Sequence, residues 1–173
     1  MKMRGFLECG CSFSTKYFLE CCDKVLSVEF IAPGIKTSSY RKCLKLFQYR
    51  SNWIPQLYNA DLKDKSFNKA SIYQSTKHKD YALIDSTYVD RMDQAFKKYL
   101  QDMKQEGNPV DIAFIDTNVC LRADMVNSLL NNQVPIIVAH DTANRNISNI
   151  HDEFGWFKVK TPPDYEMIFI PFG

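Results

Sequence analysis

The chain predicts an α/β protein built on a doubly wound, mainly parallel sheet with helices on both faces, and three observations carry that expectation. An apolar run near the start breaks at small residues and resumes with helical periodicity around Gly10. Val110-Asp111-Ile112-Ala113-Phe114-Ile115 is nearly continuous in apolar residues, as expected of a parallel strand covered on both sides. Polar residues gather where the apolar runs end, which is where open α/β sheets bind ligands. At 173 residues the chain is most simply one domain with a sizeable core, and 45% apolar with 13% aromatic residues excludes a disordered polymer. No run approaches the roughly 18 apolar residues of a membrane helix. A strand begins too early for a signal peptide, so no membrane association and a cytoplasmic location are expected.

The stretch Leu7-Glu8-Cys9-Gly10-Cys11-Ser12-Phe13-Ser14-Thr15 is the organising turn. Phe6-Leu7 and the residues before them form a buried strand, Gly10 supplies backbone freedom, and Ser14 or Thr15 suits the cap of a helix carrying Tyr17, Phe18, Cys21 and Cys22. Such a turn is expected to present unpaired N–H groups to an anionic or polar ligand. It is not a dinucleotide fingerprint, because Gly10 is followed by Ser12 and Phe13 where G-x-G-x-x-G requires more glycine. Lys24–Phe30 reads as the second strand. Its Glu29 lies 19 residues past Gly10, the spacing at which a carboxylate meets ribose hydroxyls in a βαβ nucleoside-binding unit.

Residues 36–79 change character. Ten Lys or Arg stand there against two acids, Asp61 and Asp64, a net of +8 that leaves −6 on the rest of the chain. Tyr40, Phe47, Tyr49, Trp53, Tyr58, Phe67 and Tyr73 are interleaved with these charges, so the segment reads as a basic, aromatic-rich insert. It suits either the grip of an anionic or glycan acceptor or a solvated helical insert whose aromatics pack on the core. Tyr81–Asp85 reads as a third strand. Met92, Phe96, Tyr99 and Met103 form one helical face, stopped by Gly107-Asn108-Pro109, and the strand Val110–Asp116 follows. Leu121, Met125 and Leu129 make another helical stripe, and Val134–Ala139 a buried strand running into His140-Asp141-Thr142. Residues 157–172 read as two strands around Thr161-Pro162-Pro163-Asp164. The six cysteines show no C-x-x-C spacing and read as reduced structural thiols.

Glu8-x-Gly10-x-Ser12-x-Ser14-Thr15 resembles motif I of the class I S-adenosylmethionine-dependent methyltransferases, written E-x-G-x-G-x-S-T in one branch. D-I-A-F-I-D and I-I-V-A-H-D-T look like the fourth and fifth strands of the branch that includes many small-molecule and sugar O-methyltransferases. The chain departs from that pattern at Ser12 and Thr117, where glycine is usual, and at Val119, often histidine. It also lacks helices before the first strand. Either the basic insert closes the acceptor site in their place, or the chain is one domain of a longer polypeptide.

The resemblance implies a Rossmann-like sheet of about seven strands in the order 3-2-1-4-5-7-6, the last antiparallel. It implies S-adenosylmethionine as cofactor, with Glu8, Gly10 and Ser12 beneath its methionine part and Ser14 and Thr15 completing the motif. Glu29 then meets the ribose, and Asp85 or Ser86 lies near the adenine. Asp116, at the cofactor, and His140 and Asp141 make the catalytic end. His140 is the base by intrinsic pKa, while Asp116 and Asp141 are placed to share a divalent cation such as Mg. The acceptor implied is a small molecule or glycan. A nucleic-acid methyltransferase using the basic insert and a non-catalytic cofactor-binding module stand as alternatives, although Thr161–Tyr165 fits a hairpin turn better than the N-P-P-Y box of DNA enzymes.

Overall fold

The structure, a computed structural model, describes residues 3–31, 38–59, 86–116 and 122–139. In chain order these form β1 (Met3–Cys9), α1 (Ser14–Cys21), β2 (Cys22–Ile31), α2 (Ser38–Phe47), β3 (Trp53–Asn59), α3 (Ser86–Gln105), β4 (Val110–Ile115), α4 (Arg122–Asn131) and β5 (Ile136–Ala139). The five strands make one sheet in the order β3-β2-β1-β4-β5, and every neighbouring pair is parallel. Parallel neighbours need crossover connections, and α1, α2, α3 and α4 lie at the corresponding places in the sequence.

Alternation along the strands divides the core in two. Phe6, Val25 and Trp53 point to one face, where Leu19 of α1 and Tyr40 and Cys43 of α2 cover them. Leu7, Leu26, Ala113 and Ile115 point to the other, beneath Met92, Phe96 and Met103 of α3 and Met125 and Leu129 of α4. The period of two in the strands thus meets the three-to-four spacing of the helices on both sides. Phe18 stacks on Phe6 with ring centroids 4.1 Å apart and leans on Phe114 at 5.6 Å, which seats α1 over β1 and β4.

Gly5 sets the approach of β1 to the turn before β4. A Cβ there would lie 2.4 Å from the Asn108 carbonyl oxygen and 2.5 Å from that of Pro109. The pairing shifts at the same place, Gly5 opposite Val110 and Phe6 opposite Ile112.

Three sequence expectations change. The position beside β2 is held by Trp53–Asn59, within the stretch read as an insert, and not by Tyr81–Asp85, which lies outside the described residues. Pro55 had hidden this strand, because proline cannot donate to a ladder; β3 has a partner on one side among the described strands, so the missing donor is tolerated. Second, β5 alternates between exposed Ile136 and Val138 and half-buried Ile137 and Ala139, where a strand buried on both faces was expected. Third, the N-cap of α1 is Phe13, which makes no side-chain cap hydrogen bond, while Ser14 and Thr15 lie inside the helix. The expected strands within 157–172, and the antiparallel seventh among them, fall outside the described residues.

Candidate functional site

The strand order reverses between β1 and β4: the chain moves outward through β2 and β3 on one side of β1 and through β4 and β5 on the other. In open α/β sheets ligands bind beyond the carboxyl ends of the strands at such a switch point, and Gly10 and Asp116 directly follow β1 and β4 there. Gly10 leaves β1 at φ 95°, a left-handed conformation that a side chain disfavours, while its N–H donates to the Val28 carbonyl oxygen at 2.9 Å. The Asp116 N–H donates to the Cys9 carbonyl oxygen at 2.9 Å, which fixes the start of the β4 exit against the end of β1.

Glu8, one residue before the end of β1, is wholly buried. Thr15 Oγ1 and Ser27 Oγ donate to its Oε2 at 2.7 and 2.9 Å, and Ser14 Oγ donates to Oε1 at 3.0 Å. Trp53 Nε1 in turn donates to Ser27 Oγ at 2.9 Å, and the Ser12 N–H reaches Thr15 Oγ1 at 3.2 Å. Both latter hydroxyls accept one bond and turn their own hydrogen to Glu8, so a relay runs from β3 through β2 and β1 into α1. Burial pushes the Glu8 carboxyl up to about 7, with the negative charge of Glu29 adding a small push and the three hydroxyls pulling down. Glu8 therefore works from beneath the turn, by holding it.

Glu29 sits near the end of β2, half-buried, and its Oε2 accepts the Cys11 N–H at 2.9 Å. That is its one hydrogen bond among the described residues, and it leaves Oε1 for a ligand. Burial raises the Glu29 carboxyl, and the Cys11 N–H offsets part of the rise.

The turn does not present the row of unpaired N–H groups expected to face an anionic or polar ligand, because most of these groups are bonded within the protein. Besides Gly10, Cys11 and Ser12, the Ser14 N–H donates to Ser12 Oγ at 3.3 Å and the Thr15 N–H to the Ser12 carbonyl oxygen at 3.3 Å. Residues 9–15 contain no cation, and the carboxylates Glu8 and Glu29 lie within or beside them. A phosphate placed here would meet few unpaired donors and no cation from residues 9–15, whereas a ligand carrying hydroxyls meets Glu29 as an acceptor.

The structure brings together Glu8, Gly10, Ser12, Ser14, Thr15, Glu29 and Asp116. Thr15, wholly buried, acts with Glu8 in holding the turn rather than facing a ligand, and Ser14 and Ser12 bond one another through their hydroxyls at 2.6 Å. Ser86 begins α3, and Asp85, His140 and Asp141 lie outside the described residues. Of the cation pair Asp116 and Asp141, only Asp116 is described. Among the described residues no group of three or more His, Cys, Asp or Glu is placed to hold a metal ion. Sequence reasoning missed Ser27 and Trp53. The available signal was the lone hydroxyl of Ser27 set between Val25-Leu26 and Val28 in β2, since a buried hydroxyl needs a partner.

Cys9, Cys11, Cys22 and Cys43 are buried and Cys21 exposed, and none of the five is in a disulfide. Desolvation raises Cys9, Cys11 and Cys43, with Glu8 and Glu29 pushing in the same direction, which holds these thiols protonated and unreactive. No helix among the described residues is long and apolar enough to cross a membrane. No family model matches the chain, and no curated protein matches it.

Proposed function

We propose that the chain is an S-adenosylmethionine-dependent methyltransferase acting on a hydroxyl of a small molecule or glycan. The observation that carries this reading is the acidic turn at the switch point: Gly10 at φ 95°, no cation in residues 9–15, and Glu29 offering a carboxylate oxygen from the end of β2. The turn fits a sulfonium cofactor better than a dinucleotide, because residues 9–15 hold no cation and few unpaired N–H groups for a pyrophosphate, while Glu29 Oε1 remains to accept from a ribose hydroxyl.

When bound, the cofactor supplies an electrophilic methyl group. In this reading Gly10 lets the backbone pass close to it, Glu29 accepts from the ribose, and the relay from Trp53 to Glu8 keeps the turn from yielding. Ser86, with Asp85, serves the adenine side. Asp116 stands at the chemical end with His140 and Asp141, which follow β5 in the chain; His140 takes the acceptor proton, and Asp116 with Asp141 orients the acceptor or a divalent cation.

Calorimetric titration tests the cofactor. S-adenosylmethionine and its demethylated product should bind, and Glu29→Ala should weaken both by about 1–3 kcal/mol through loss of a charged acceptor. Unchanged affinity in a folded Glu29→Ala variant removes the ribose assignment, and failure of the parent protein to bind removes the reading. Once an acceptor is identified, His140→Ala and Asp116→Asn should abolish transfer while cofactor binding is largely kept.

A further inference from the structure

We propose that the exposed face of α2 and the turn after it form a docking surface for single-stranded nucleic acid. On α2, Tyr40 and Cys43 are buried and Leu44 and Phe47 half-buried, so its apolar side is spent on the sheet. Arg41, Lys42, Lys45 and Leu46 are exposed and fall on the opposite side, and exposed Tyr49 and Arg50 follow in the turn. Arg41 and Lys45 stand one helical turn apart, about 6 Å along the axis, which is close to the separation of successive phosphates on an extended strand.

The charge on this face is of one sign. No acidic residue occurs between Glu29 and Asp61, and none of Arg41, Lys42, Lys45 or Arg50 makes an ion pair among the described residues. The exposed side of α3 is different: Asp90, Arg91, Lys97, Lys98, Asp102 and Lys104 mix signs, and Lys98 pairs with Asp102. A basic strip with no ion pair among the described residues is complementary to a polyanion and releases the counterions of that polyanion when it binds.

The apolar residues select the kind of polyanion. Tyr49 is 89% exposed and Leu46 63%, set among the cations. A helix that lies in a lipid surface needs a free apolar side, and that of α2 is already buried. Flat side chains beside cations suit unpaired bases, which stack only when they are not already stacked within a duplex. This surface rests on different residues from the proposed cofactor site.

Fluorescence anisotropy of a labelled oligouridylate, titrated across salt concentrations, tests the proposal alongside a paired duplex of equal length and phosphatidylserine vesicles. The oligouridylate should bind most tightly. Arg41→Gln with Lys45→Gln should weaken it about tenfold or more at low salt and lower the salt slope by about 0.7 per cation removed. Tyr49→Ala should weaken binding on the order of tenfold with the salt slope unchanged. These positions are exposed, so the variants should keep the parent circular-dichroism spectrum. Equal binding by the double variant, tighter binding of duplex or vesicles, or no binding of the oligouridylate at low salt would each overturn the proposal and leave the methyl-transfer reading standing.

Discussion

Glu8 shows how one buried acid couples folding to proton concentration. Its carboxyl rises from an ordinary 4.5 to about 7 in the fold, so between those values the folded chain holds a proton that the unfolded chain has released. Its favourable contribution is complete below about pH 4.5 and is lost as pH rises through 7. The loss is on the order of 3 kcal/mol. Urea unfolding at about pH 5 and pH 8 should show the difference, and Glu8→Gln should remove the Glu8 share of it because an amide does not titrate, leaving the smaller dependence of the raised Glu29. The carboxyl also explains why Ser14 and Thr15 are not the helix cap expected from sequence: their hydroxyls turn inward to Glu8 instead. Separations of six and seven residues along the chain carry no sign of those bonds until the helix is placed on the sheet. Gly10 is the complementary case, since a glycine after an apolar run announces a turn by itself. Gly10→Ala should cost about 1–2 kcal/mol for holding a side chain at φ 95°, read as a lowered urea midpoint.

The elements differ in how plainly they could be read. The face of α3 was legible because Met92, Phe96 and Met103 recur at helical spacing, and all three are buried. Phe96→Ala should therefore cost about 3–5 kcal/mol in denaturant unfolding, as the cavity lies under a close-packed sheet. β4 was equally plain, being short and apolar at every position but Asp111. β3 was not: Pro55 interrupts it, cations crowd its approach, and only its pairing with Val25 through Ile31 of β2 identifies it. Gly5 sits inside β1 and carries no local sign of its task, which depends on carbonyls more than a hundred residues away in the chain. Gly5→Ala should destabilise by about 2–4 kcal/mol, because both neighbours are backbone and neither can swing aside.

Across the whole molecule, folding and recognition rest on different forces. The described ion pairs are Arg4 with Asp111 at 2.8 Å and Lys98 with Asp102 at 2.7 Å, both at the surface, while the two apolar clusters lie on either face of the sheet. Raising salt from low to physiological strength should then leave the urea midpoint nearly unchanged, since exposed pairs contribute about 0–1 kcal/mol each. The hydrogen-bonded relay spans three strands, and its far end is an indole. Trp53 donates to Ser27 Oγ, which donates to the carboxyl that holds the turn, so the electronic environment of that ring follows the state of Glu8. The chain has two tryptophans, Trp53 and Trp156, and Trp156→Phe leaves the first alone. The emission of such a variant should shift as pH crosses 7 and stay constant once Glu8→Gln is added. The protein thereby carries its own dye at the far end of that relay, and a ligand that disturbs the turn should register as a change in colour without any label.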